Sequence, residues 1–233
     1  MEPTGIIIVS IAAMSLVVAA VIVCVRIYAR QRTQEMQSVA HEIGFDFRGD
    51  VWNRQPNAQK FGTELFEQGS CRRFANLMVG KMAGLDTGLF DYSYTISAGE
   101  HSSTYSQTVV AFTQELWLPR FELRPEGFLD RFGEIFLNRD INFDPFPEFS
   151  RRYFLRGPDE AGIRKLFSPV LVGFLEAQPV DEKWHIEGSV TTLIIYRSGK
   201  TVEGENIRPF LERTSAIAQA FFSSPENLSQ PVR

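Results

Sequence analysis

Cysteine is scarce in this sequence, with 2 among 233 residues. Cys24 lies inside an apolar run near the start, so the remainder of the chain contains Cys71 alone and cannot form a disulfide within itself. This excludes a disulfide-stabilised domain and indicates a reducing compartment. The sequence assigns no role to Cys71.

Positive charge is also limited. Lys and Arg number 24 against 28 Asp and Glu, which gives a formal net charge of -4. Because three arginines directly follow the apolar run, the remaining body is more acidic still. Binding to phosphates requires a basic face, so we predict that nucleic acid is not a partner. The same balance argues against this body lying flat on an anionic lipid surface.

Charge of either sign is missing from Pro3 to Val25. As a helix rising ~1.5 Å per residue, this run is long enough to cross the ~30 Å hydrocarbon core of a bilayer. It is too long for a cleavable signal peptide, and its end offers no small-residue cleavage site. We predict one transmembrane helix over residues 5–25, with the lipid bilayer as its partner and residues 1–4 outside.

The arginines around the run are distributed asymmetrically. Arg26, Arg30 and Arg32 follow it, whereas no Lys or Arg precedes it. Because cytoplasmic flanks carry the excess of positive charge, we predict a single-pass protein of the cell inner membrane with its N-terminus outside and its body in the cytoplasm.

Three further segments complete the predicted domain organisation. Residues 26–44 are polar, place apolar side chains at helical spacing and end at Gly44, a common residue after a helix C-terminus. They predict a juxtamembrane helical stalk. Residues 45–222 predict one soluble α+β domain, and residues 223–233 predict a flexible tail.

Apolar residues grouped in short runs between turns predict an antiparallel sheet built mainly from residues 61–123 and 183–197. Stripes at helical spacing predict helices near 126–137, 158–177 and 205–222. The predicted fold class is α+β: an N-terminal transmembrane helix, then a mainly antiparallel sheet covered by three or four helices. The finer predictions are β structure from Phe61 to Phe66, turns at Gly80, at 85–88 and at Gly188, and a short strand at 116–126.

Motifs that carry chemistry are incomplete. Asp86 belongs to an Asp-Thr-Gly that matches the core of aspartic proteases, but a single copy requires a dimer to supply the second carboxylate. We interpret that segment as a turn. The Gly199-Lys200-Thr201 triplet ends like a phosphate-binding loop, yet Ile194 stands where the first glycine belongs. We therefore predict no cofactor.

Histidine is rare, and none of His41, His101 and His185 has a second His or Cys nearby at metal-ligand spacing. We therefore predict no metal site. A catalytic set would have to converge in three dimensions, and its candidate residues are Asp86, Asp91, His101 and His185.

Several aromatic and proline-centred blocks carry a resemblance to known proteins. At these blocks the chain resembles a group of bacterial membrane proteins that pair an N-terminal membrane helix with a soluble domain of unknown function. The resemblance spans most of residues 35–222. It implies a bacterial single-pass membrane protein and carries over no active site. The blocks are RRFANLMVG (72–80), GLFDYSYT (88–95), QTVVAF (107–112), LPRFELRPE (118–126) and DINFDPFPEFSRRYFLRG (140–157).

The leading functional hypothesis is a membrane-tethered interaction or scaffold domain facing the cytoplasm, not an enzyme, with a protein partner. The alternative is a membrane-anchored hydrolase or a small-ligand sensor whose site forms only in the folded chain. A concave pocket with converging polar groups would favour the alternative.

Overall fold

The chain begins with one long helix that ends where the sheet begins. The computed structural model describes residues 3–50, 62–99, 101–126 and 140–223. Helix α1 (Pro3–Ile43) joins the predicted transmembrane segment and the predicted stalk without interruption. It ends at Gly44, where φ is +75° and the amide of Phe45 donates to the Ala40 carbonyl. Among the described residues, α1 is the one helix long and apolar enough to cross a membrane.

Six strands form one sheet within the described part of the chain, and every pairing is antiparallel. The strands are β1 Asp46–Gly49, β2 Ser70–Met82, β3 Leu85–Ala98, β4 His101–Pro125, β5 Tyr153–Arg156 and β6 His185–Tyr196. Their order is β1-β2-β3-β4-β5, and β6 pairs with β4 beside this path. The predicted α+β class with a mainly antiparallel sheet is confirmed.

The two faces of the sheet enclose different cores because successive side chains of a strand point to opposite faces. In β3, Leu89 enters the larger core, whereas Phe90 and Tyr92 enter a smaller, aromatic one. The larger core receives the stalk part of α1 and most of the later helices. Helix α2 (Glu64–Glu67) covers part of the smaller core, and its Phe66 ring meets Tyr92 edge-on at 5.0 Å.

The covering helices begin where the sequence provides caps. The Asp159 side chain accepts from the Gly162 amide, and the Ser168 side chain accepts from the Leu171 amide. Helices are therefore confirmed within 158–177 and 205–222. The remaining bounds are α3 Pro147–Arg152, α4 Glu160–Leu166, α5 Pro169–Glu176 and α6 Gly204–Phe222.

Two glycines predicted to form turns lie inside strands. β2 continues through Gly80, and the chain reverses at Ala83-Gly84, where φ is +52° and +82° as a two-residue hairpin turn requires. The predicted hairpin around Gly188 is likewise wrong, because β6 runs through it. Gly80 and Gly188 are small because the Phe45 and Phe121 rings pack against their backbone. Close packing, and not chain reversal, explains both glycines.

Two other local predictions are also wrong, and a third is right about the strand but not about its length. The segment 85–88 lies inside β3, and residues 64–67 form a helix instead of a strand. The strand predicted at 116–126 is the second half of β4, which continues through Pro119. The pairing of β4 with β6 shifts register on both sides of Leu118. Such bulges tolerate a proline because its missing amide is not needed in the ladder.

Some predictions lie outside the described residues. These are the helix near 126–137 from Gly127 onward, the tail from Ser224, residues 1–2 and the β structure at Phe61.

Candidate functional site

A polar cluster joins α1 to the sheet. The Arg32 guanidinium donates from Nε to Asp91 Oδ2 (2.9 Å) and from Nη2 to Asp91 Oδ1 (3.1 Å). Such a two-point contact fixes geometry as well as charge. The two side chains are only 12% and 15% exposed. Burial acts to lower the pKa of Arg32, but the hydrogen bond and charge of Asp91, and then those of Glu35, outweigh it and raise that pKa.

Neighbouring strands complete the coordination of Asp91. Asn76 Nδ2 on β2 donates to Oδ2 (3.0 Å), and the Thr108 hydroxyl on β4 donates to Oδ1 (2.9 Å). Thr33 of α1 donates to Asn76 Oδ1 (2.8 Å). Asp91 thus accepts hydrogen bonds from α1, β2 and β4 at once. Its carboxylate therefore joins three elements.

A second contact ties α1 to α6. Glu35 Oε1 accepts from the amide of Gly204 (2.7 Å), the first residue of α6, although Glu203 at the cap position makes no side-chain cap. A carboxylate at a helix N-terminus satisfies a free amide and complements the helix dipole. Met36 and Ala40 of α1 are fully buried below this contact. The stalk is therefore part of the body's core and not a linker.

A pair of buried carboxylates lies on the sheet away from α1. Glu122 of β4 and Glu187 of β6 stand opposite each other in register. Glu187 accepts from the Tyr196 hydroxyl (2.7 Å) and the Leu65 amide (3.0 Å), whereas Glu122 accepts from Arg156 Nε (2.6 Å). Burial, and next the Glu122 charge, raise the pKa of Glu187 to about 8. Glu187 therefore binds a proton more readily in the fold than a free carboxyl group does.

A small cavity of about 280 Å³ opens beside this pair. Thr63, Arg120, Glu122 and Arg156 contribute its polar lining. Arg120 donates to Glu64 (3.1 Å) and Glu67 (2.8 Å), so the cavity wall contains charges of both signs. The Thr63 hydroxyl oxygen is buried there, and among the described residues nothing accepts from it or donates to it. The cavity can hold a small polar molecule.

A larger, shallow groove of about 580 Å³ lies on the aromatic face of the sheet. Its floor is apolar and includes Phe74, Leu77 and Phe90, while Arg48 and Asp86 lie on its rim. Gly88 leaves open floor, because a Cβ placed there would meet only the Leu77 side chain, at 3.8 Å. The groove has the size of a ligand site and mostly apolar walls.

One exposed apolar site coincides with backbone strain. Trp117 is 49% exposed, and Val190, opposite Leu118 in the register, is 50% exposed. Val190 has φ of +56°, a conformation that a β-branched residue rarely adopts. Backbone strain of this kind clusters at functional sites.

The four catalytic candidates from the sequence are distributed over the sheet. Asp86 is exposed and pairs with Lys81 (2.8 Å), and Asp91 holds α1. His101 is exposed at the start of β4, opposite Ala98. His185 is buried and stacked on Tyr196 at 5.0 Å, and burial, followed by the Arg124 charge, lowers its pKa to about 3.

The strand register separates these candidates. Asp86 and Asp91 lie five residues apart on β3, which is about 16 Å at ~3.3 Å per residue. His101 and Thr108, the partner of Asp91 in the register, lie seven positions apart on β4. The structure therefore does not bring Asp86, Asp91 and His101 together. In the described ranges, no group of three His, Cys, Asp or Glu side chains could hold a metal ion.

The sequence analysis missed Glu122, Glu187, Arg32 and Thr63. A charged residue in the middle of an otherwise apolar strand is the available signal for Glu187, which lies in the run His185–Tyr196. Arg32 was used only to orient the membrane helix. No local signal marks Thr63.

Comparison with known proteins identifies one solved structure with a similar fold. No protein-family model and no curated protein sequence matches the chain. Among solved structures, the chain is similar to the crystal structure of the mycobacterial trehalose monomycolate transport factor A, TtfA. The match has a TM-score of 0.59 at 14% identity and covers 88% of this chain and 99% of that one. At this identity the likeness shows that the two chains share a fold.

Proposed function

We propose that this chain is a membrane-anchored interaction module, not an enzyme. Residues 5–25 span the membrane, and residues 26–44 form a stalk that belongs to the soluble body. The body lies on the cytoplasmic side of the inner membrane and binds a membrane protein there. In this proposal the chain assists a transport process by holding its partner at a fixed position relative to the bilayer.

The docking of α1 on the sheet supports this proposal. A linker would let the body move freely, but the contact between Arg32 and Asp91 and the buried Met36 prevent this. Arg32 lies seven residues beyond Val25, so this contact holds the body close to the bilayer. Rigid placement benefits a module that must meet another membrane protein, because less freedom is lost on binding.

The single observation that carries the interaction role is the exposed Trp117 beside Val190. Tryptophan is enriched among the residues that dominate binding energy at protein interfaces. Keeping Val190 at positive φ costs about 1–3 kcal/mol, and strain of this size indicates a functional site in this part of the β4–β6 pair. We propose this site as the contact with the protein partner.

The likeness to TtfA supports the transport context. That protein is a transport factor. A shared fold makes an accessory role in transport the nearest analogy for this chain, and the analogy extends neither to the cargo nor to the partner.

Site-specific photo-crosslinking in membranes tests the proposal. A photoreactive phenylalanine analogue replaces Trp117 in the full chain, and the captured proteins are identified after irradiation of intact cells. The expected result is one predominant membrane protein. The matched control places the same probe at Val170, which is 83% exposed on α5. Equal capture at both positions, or capture only of abundant soluble proteins, would overturn the proposal.

The cytoplasmic orientation has its own test. A membrane-impermeant amine reagent added to intact cells should not label Lys81 or Lys200, which are exposed. After permeabilisation both should react. Labelling of either lysine in sealed cells would contradict the proposed orientation.

Small-ligand binding is the second candidate function, and the Thr63 cavity favours it. A ligand of this volume with hydrogen-bonding groups would satisfy the buried hydroxyl and contact Arg120. Native mass spectrometry of the purified full chain should then reveal a bound small polar molecule. Thr63→Val removes only the hydroxyl and should release that molecule without unfolding the chain. A ligand-free spectrum of the gently extracted wild-type chain would exclude this candidate.

A further inference from the structure

We infer that the tip of the β3–β4 hairpin, residues 95–99 and 101–105, contacts the lipid surface beside α1. This surface would give the body a second attachment to the same membrane. The inference rests on the proposed function, because it requires residues 5–25 to span a bilayer.

The first step is the height of the docking contact above the membrane. The uncharged run ends at Val25, and Arg32 lies seven residues further along the same helix. At ~1.5 Å per residue, Arg32 is about 10 Å from the edge of the hydrocarbon layer. The sheet is therefore attached to α1 close to the headgroups.

The second step is the direction of the strands. Thr33 of α1 contacts Asn76 of β2, and Phe45, just past the end of α1, packs on Gly80 of the same strand. β2 thus advances from Asn76 to Gly80 in the direction in which α1 leaves the membrane. Since β3 is antiparallel to β2, β3 runs back toward the membrane.

The third step is the reach of β3. Asp91, at the level of Arg32, lies seven residues before Ala98 at the end of the strand. At ~3.3 Å per residue this length is about 23 Å, more than twice the height of Arg32. A strand that diverges from the helix axis by about 60° brings the tip to the edge of the hydrocarbon layer, and a larger divergence leaves the tip among the headgroups.

The chemistry of the tip suits a lipid headgroup layer. Ser97, Ser102 and Ser103 are exposed hydroxyls that can bond to phosphate and glycerol oxygens. Tyr105 is half-buried and stacks on Tyr94 at 5.5 Å. Tyrosine is favoured at membrane interfaces because it has an apolar ring and a polar end.

The sequence of the tip contains one carboxylate, Glu100, which lies outside the described residues. The described part of the tip, residues 95–99 and 101–105, contains no Asp, Glu, Lys or Arg and one histidine, His101. Tyr28 of α1 is 70% exposed one turn before Arg32 and adds a second aromatic ring at the same level. The hairpin tip and the exit of α1 thus both present residues suited to the membrane interface.

Depth-dependent quenching tests the inference. The full chain, with Cys24→Ser and Cys71→Ser, carries a fluorophore on Ser102→Cys and is reconstituted in phosphatidylcholine vesicles. Lipids with a nitroxide at the headgroup should remove most of its fluorescence. The control label at Lys81→Cys, at the opposite end of β2 and β3, should lose little. If Ser102→Cys impairs folding, Ser103→Cys takes its place.

A third label distinguishes the inference from the function on which it rests. A fluorophore at Val17→Cys should be quenched by nitroxides placed deep in the acyl chains. If Val17 is quenched but the hairpin label behaves like the Lys81 label, the hairpin inference is overturned and the membrane anchor stands. If Val17 is not quenched, the membrane anchor is refuted, and the hairpin inference with it.

Discussion

Replacing Arg32 by alanine tests whether α1 is built into the body. The change removes both hydrogen bonds from the guanidinium to Asp91 and leaves a largely buried carboxylate without its cation. An exposed ion pair contributes about 0–1 kcal/mol, whereas breaking a buried pair costs about 3–5 kcal/mol. The pair here is 12% and 15% exposed, and Asp91 keeps the hydrogen bonds from Asn76 and Thr108. We therefore expect a loss of about 2 kcal/mol in the free energy of unfolding.

The assay is urea unfolding of the full chain in lipid nanodiscs, followed by the fluorescence of the buried Trp184. Thermal unfolding should show a decrease of roughly 4–8 °C in Tm. Arg30→Ala is the matched control, because Arg30 is exposed on the same helix and its loss should change stability by less than about 0.5 kcal/mol. A double-mutant cycle with Asp91→Ala should give a coupling energy of about 1–2 kcal/mol. Equal effects of Arg32→Ala and Arg30→Ala would refute the reasoning.

Three further predictions follow from other contacts. The pKa of Glu187 is about 8 in the fold and ~4.5 in the unfolded chain, so its protonation stabilises the fold fully below pH 4.5, and this stabilisation is lost as the pH rises to 8. Between pH 6.5 and 8 the free energy of unfolding should fall by up to about 1.4 kcal/mol per pH unit. Glu187→Gln should flatten that slope in urea titrations. Glu35→Ala should lower the free energy of unfolding by about 1 kcal/mol, because it removes the cap at the Gly204 amide of α6. Hydrogen exchange of the backbone amides at the start of α6 should be slower in the wild type than in the variant. Unchanged exchange in Glu35→Ala would contradict the cap. Val190→Gly should raise the free energy of unfolding by about 1 kcal/mol, because glycine adopts positive φ without strain. The same change should weaken photo-crosslinking at position 117. A destabilised variant would contradict the strain at Val190.

Where the sequence predicted structure correctly, neighbouring residues determined it. Asp159 and Ser168 cap helices through amides three residues away, and the apolar stripe of α6 lies within one segment. The same holds for the uncharged run of α1. Such features depend on contacts within a turn or two, so composition and spacing reveal them.

Glycine shows where local reasoning failed. Gly80 and Gly188 have neighbours typical of turns, yet each lies in a strand because an aromatic ring from a distant segment packs on it. The actual turn uses Ala83-Gly84, in which an alanine adopts positive φ. The sequence shows that a glycine is flexible, but it does not show which distant aromatic ring needs the space that the missing side chain leaves.

The candidate sites show the same division. The sequence makes Asp91 a candidate for a catalytic set that converges in three dimensions, but its partner is Arg32, 59 positions earlier in the chain. Glu122 and Glu187 become a pair only through the register of β4 and β6. The chemistry of each group is in the sequence, whereas its neighbours come from pairing between distant segments.

The sequence by itself determined the long apolar helix, the antiparallel sheet and the helices that cover it, since these arise from periodicity and capping. Only the tertiary structure decided that the stalk belongs to the core and that Asp91 holds it. The physical reason is distance along the chain. The contact between Glu35 and Gly204 spans 169 residues, and no local pattern encodes which two such groups will meet.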